Sequence, residues 1–149
     1  MLQQAMDLQT ESEALYELLQ PLREEDFERR TLFNGWSINT VLQHLHYFNH
    51  AADLSLGDED GILTLLGDLR AAAENGIDMV AHTDARLDGV KGQALLKLWR
   101  DYYTAMLDNF HNVDPKMRVK WAGPALSLLA PIPPRLTETC AHARAPPAP

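Results

Sequence analysis

The stretch Gln93-Ala-Leu-Leu-Lys-Leu-Trp-Arg-Asp-Tyr-Tyr-Thr-Ala-Met-Leu-Asp-Asn-Phe110 places Leu95, Trp99, Tyr102, Met106 and Phe110 three or four residues apart. That is the period of an α-helix with one apolar face. The pattern recurs upstream. Ala5, Leu8, Leu15, Leu18 and Leu19 give an inward stripe for a first helix over about residues 3–20, stopped by Pro21. Ser37 reads as the N-cap of a second helix over about 38–56, and the charged segment 23–30 as a short turn before it. Ile62, Leu65, Leu66, Leu69, Ala73, Ile77 and Val80 form the stripe of a third helix, capped by Asp60 and ended near Asp88-Gly89. No six-residue stretch alternates cleanly, so strands are not expected. Four amphipathic helices with short connections predict an all-α, antiparallel four-helix bundle.

The tail differs in character. Pro115, Pro124, Pro131, Pro133 and Pro134 exclude a long helix over 112–134. Pro134 suits the first turn of a short last helix that stops near Arg144. The expected organisation is one domain over residues 1–145 with a disordered tail at 146–149.

The chain has 149 residues, 46% of them hydrophobic and 23% charged, which is ordinary for a globular domain with its own core. Thirteen Lys and Arg face 21 Asp and Glu, for a formal charge of -8, with no basic cluster. Nucleic acid and anionic membrane surfaces are therefore not expected partners. No apolar run nears the ~20 residues of a membrane span, and the first residues lack signal-peptide character. A lone cysteine excludes an internal disulfide, and the reading is cytoplasmic. Trp99, Tyr102 and Tyr103 suit either the core or a homodimer face.

Chemistry-bearing residues are few. Glu138 and His142 stand four apart, side by side on one face of a helix. His44 follows Trp36 by eight residues and falls on the shoulder of the second helix's apolar face, at about 300° from Val41. Two imidazoles and a carboxylate without thiolate suit zinc or a similar first-row ion with one position left open. Each residue also has a plainer reading. His44 can be a hydrogen-bonded, half-buried histidine, and Glu138 with His142 a surface pair. His46 and His50 form an i,i+4 pair that reads as a solvated face or a surface metal site. His82 and His111 read as helix-end cations. Cys140 points away from Glu138 and His142 and reads as a small buried hydrophobe.

Two segments together resemble a known family. Gly35-Trp36-Ser37 through His44-Leu45 is similar to the N-terminal helical domain of mycothiol-dependent maleylpyruvate isomerases, within the DinB/YfiT-like metal-binding superfamily. Trp121, Gly123 and Ser127, followed by Arg135-Leu-Thr-Glu-Thr-Cys-Ala-His142, resemble that family's second signature, where tryptophan stands in place of Cys140. The resemblance covers about residues 5–144. It implies a DinB-like four-helix bundle holding a divalent metal, commonly zinc, through His44, Glu138 and His142. It also implies chemistry on a small organic substrate with mycothiol as the thiol, either isomerisation or group transfer. The proline-rich end reads as a truncated or altered copy of the family's last helix. The alternative is a non-catalytic or degenerate helical module without its metal.

Overall fold

In a computed structural model the described residues are 3–55 and 57–112. Among them lie five α-helices and no strand: α1 (Gln3–Leu19), α2 (Ile38–Ser55), α3 (Glu59–Glu74), α4 (Met79–Arg86) and α5 (Gly92–Asn112). The all-α expectation holds for these residues. The expected short last helix lies outside them, as does the expected tail.

The ends of the helices follow from local chemistry. Pro21 closes α1, and a 3-10 turn follows at Glu24–Glu28, burying Phe27 completely. The Ser37 hydroxyl accepts the Thr40 N–H at 3.1 Å and caps α2 as the sequence predicts. The cap of α3 is Asp58 rather than Asp60: its carboxylate accepts the Gly61 N–H at 2.8 Å. Asp60 lies in the first turn, where its charge still complements the helix dipole.

The predicted third helix is two helices. Gly76 takes φ +77°, Ile77 N–H bonds the Ala72 carbonyl and Gly76 N–H the Ala73 carbonyl, which together end α3 in a Schellman motif. Asp78 then accepts the Ala81 N–H at 2.8 Å and starts α4. Asp88, at φ +52°, ends α4 in the same way, at the break expected there.

Helix α2 sits in the middle. On one side α1 runs antiparallel to α5, with Tyr103 donating to Glu13 at 2.8 Å and the Arg100 guanidinium 4.2 Å from the centre of the Tyr16 ring. Leu15, Leu19, Val41, Leu42, Leu45, Leu95, Trp99 and Phe110 form the core between these helices. The turn after Ser55 brings α3 back along α2, where Leu65 packs with Tyr47 and Ala51.

Helix α5 runs alongside α2 in the same direction. Asn39 meets Gly92 at one end, and His50 and Asp53 meet Tyr102 farther along. The extra segment α4 makes this possible by carrying the chain back to the start of α2. There Gln43 Nε2 donates to Asp84 at 2.8 Å and to the Val90 carbonyl at 3.1 Å.

The start of α5 is held by side chains from elsewhere. Gly92 N–H donates to Asn39 Oδ1 at 2.8 Å and Gln93 N–H to Glu24 Oε1 at 3.0 Å. Gly92 has φ +64°, where an L side chain is strained, and a Cβ there would also displace the Glu24 carboxylate that holds Gln93 N–H.

Candidate metal centre

The approach to His44 is built by a tight turn. Asn34 and Gly35 both have positive φ, at +53° and +68°, and Trp36 N–H closes the turn on the Phe33 carbonyl at 2.9 Å. Two such residues in succession make a type I′ turn, for which Asn-Gly is the preferred pair. Thr31 staples it: its N–H and its hydroxyl both donate to the Trp36 carbonyl, at 2.7 and 2.9 Å. Arg30 adds a bond to the Gly35 carbonyl at 3.1 Å. Trp36 is thereby fixed one residue before the cap of α2, two turns from His44. Leu32, next to Phe33, projects into solvent at 71% exposure.

His44 is half-buried in a ladder of rings. Phe33 meets Trp36 at 5.2 Å between centroids, Trp36 meets His44 at 5.1 Å, and His44 meets Phe48 at 4.6 Å. Removal from water pushes its imidazole down to about 4, so the ring is neutral at pH 7. A neutral imidazole with a free lone pair is the form that ligates a first-row cation, so this residue fits the donor role assigned to it. Glu138, His142 and Cys140 lie outside the described residues. Among the described residues, no three His, Cys, Asp or Glu side chains stand close enough to hold a metal ion.

His46, His50 and His82, read as solvated or capping, are placed differently. His46 is buried at 7% exposure, its ring edge-on to Tyr102 at 5.1 Å and its Nδ1 without a partner among the described residues. Burial, and secondarily the neighbouring His50, pushes it down to about 4. His50 is only half-buried; its Nδ1 meets the Tyr102 hydroxyl at 2.9 Å, and that hydroxyl donates to Asp53 at 2.8 Å. Burial first, and then the Asp53 carboxylate, raises the Tyr102 phenol, which stays protonated. His46 and His50 are therefore not a solvated face. The reason is that α5 covers this side of α2. His82 lies inside α4 against Tyr47, at 6.0 Å between centroids, rather than at a helix end.

Sequence reasoning missed the Asp53–Tyr102–His50 chain of hydrogen bonds and the polar side chains beneath it. A signal was present: from Ile38 to Ala52 the chain holds no Asp, Glu, Lys or Arg, which marks a helix covered on several sides. No helix of the described residues is long and apolar enough to cross a membrane.

Two uncharacterized proteins of Mycobacterium tuberculosis, one from strain CDC 1551 / Oshkosh and one from strain ATCC 25618 / H37Rv, are each 29% identical over 136 residues, 91% of this chain. The chain spans about half the length of these curated relatives, 52% in each case. No solved structure matches it. Residues 8–144 match the family described as the mycothiol maleylpyruvate isomerase N-terminal domain, and the chain belongs to that family.

Proposed function

We propose that this domain binds a divalent metal, zinc first among the candidates, through His44, Glu138 and His142, and that it serves thiol-dependent isomerase or transferase chemistry with mycothiol as the thiol. The observation that carries the reading is the state of His44: a neutral imidazole, held between two aromatic rings on the central helix of a chain belonging to this family. A zinc ion held by two imidazoles and a carboxylate keeps a position for a thiol and favours its thiolate form.

The chain's own residues supply the surroundings. Phe33, Trp36 and Phe48 place an apolar wall beside His44, which excludes water and suits the carbon skeleton of a small organic substrate. Ser37 and the Asn34-Gly35 turn hold that wall in register with α2.

The test is metal content after purification, then zinc affinity by competition with a chromophoric chelator. The variants are His44→Ala, Glu138→Ala and His142→Ala, with His46→Ala as control. The expectation is stoichiometric zinc, lost in the first three and kept in the control. Affinity unchanged in the first three would leave a non-catalytic helical module; affinity lost only in the control would move the site to His46 and His50.

A further inference from the structure

The ring ladder beside α2 has more order than an apolar wall requires. His44 has an aromatic ring on each side: Trp36, tilted by 57° at 5.1 Å, and Phe48, tilted by 49° at 4.6 Å. These two neighbours arrive by independent routes. Phe48 is one helical turn beyond His44 on α2 itself, so the contact is an i,i+4 pair. Trp36 comes from outside the helix, and its backbone is fixed by both hydrogen bonds of Thr31. Phe33 backs the tryptophan at 71° in an edge-on contact, and Tyr47 backs Phe48 at 76° and 5.5 Å. Both members of the pair also pack against the main core, which limits their own freedom.

We propose that Trp36 and Phe48 are positioning residues that clamp the His44 imidazole in one orientation before any ligand arrives. The inference rests on the reading of His44 as a metal ligand. An unclamped histidine on a helix surface rotates about two side-chain bonds, and a ligand that fixes it must overcome that freedom. A ring already held between two others loses little on binding. The usual device for orienting a metal-binding histidine is a hydrogen bond from its second nitrogen to a carboxylate or carbonyl. Here the described residues offer aromatic contacts instead. The clamp therefore acts through shape, and it leaves both ring nitrogens without a polar competitor among the described residues.

The experiment uses the full chain and two readouts. The first is the mobility and chemical shift of the His44 ring carbons in metal-free protein, by NMR relaxation. The second is zinc affinity by chelator competition. The variants are Trp36→Leu and Phe48→Leu, with Trp36→Phe and Phe48→Tyr as conservative partners, and far-UV circular dichroism to establish folding. The clamp predicts that each leucine variant frees the His44 ring in metal-free protein and weakens zinc binding about tenfold, the range seen when an outer-shell partner is lost. Each conservative variant should return both readouts to near the parent value. If Trp36→Leu does not fold, Phe48→Leu carries the test alone, since it changes a half-buried position. A His44 ring as ordered in the leucine variants as in the parent overturns the clamp. Zinc affinity untouched by His44→Ala sinks the metal reading alone, and the clamp is then decided by the metal-free ring measurement.

Discussion

Removing the Asn39 side chain should cost the fold more than its size suggests. Asn39 is buried at 4% exposure and works in two directions. Its Oδ1 accepts the buried Gly92 N–H at 2.8 Å, and its Nδ2 donates to Glu28 at 2.8 Å. In Asn39→Ala the Gly92 donor is stranded, which costs about 1–3 kcal/mol. The Glu28 carboxylate is exposed and regains water, so that bond contributes only about 0.5 kcal/mol. Lost packing brings the expected total to about 2–4 kcal/mol, a large fraction of the ~5–15 kcal/mol that holds a domain together. Urea unfolding followed at 222 nm would show a lower midpoint at unchanged slope. Glu28→Ala isolates the weaker bond and should cost about 0.5 kcal/mol. Equal losses in the two variants, or a loss below about 0.5 kcal/mol in Asn39→Ala, would refute the claim that Asn39 ties the start of α2 to the start of α5.

Three further outcomes are expected. Metal-free protein should lose stability as pH falls from about 6.5 towards 4: burial lowers His44 and His46 to about 4, so between those values the unfolded chain binds protons that the folded one refuses. Well above 6.5, where the unfolded chain no longer holds the protons either, the slope should vanish; urea midpoints at several pH values check this, and His46→Gln should reduce the slope while leaving the His44 share. Tyr102→Phe should cost about 1 kcal/mol by removing the hydroxyl shared by His50 and Asp53, measured by the same unfolding assay. Gly76→Ala should cost about 1 kcal/mol through left-handed backbone strain alone, since nothing lies within 4 Å of the added methyl, and its thermal midpoint should fall by a few degrees.

The helices were legible because Leu, Trp and Phe recur at the helical period, and because Pro21, Ser37 and Asp88-Gly89 punctuate them. The split between α3 and α4 was not. The stripe Ile62 to Val80 keeps its period across Gly76, and that continuity hid the stop at Asn75-Gly76 and the Asp78 cap. Of that stripe Leu65 is buried, while Leu66 and Ile77 are 47% and 46% exposed. His44 was singled out by its place on α2 and by a family signature, and it lies half-buried among aromatic rings. His46 and His50 were misplaced by assuming that α2 buries a single face. Gln43, His46 and Asn49 are all buried, because a central helix meets neighbours around most of its circumference.

The pairing of α2 with α5 also governs how the chain reaches its fold. Asn39 and Gly92 are 53 positions apart, and no shorter piece supplies α2 with the partner that covers His46 and Tyr47's uncharged neighbours. A nascent chain that ends before Gly92 exposes an uncharged helix on the side α5 will later occupy, and it is prone to self-association. Pairing α2 with α5 therefore closes a loop of 53 positions, a cost in chain entropy that contacts within one helix do not carry.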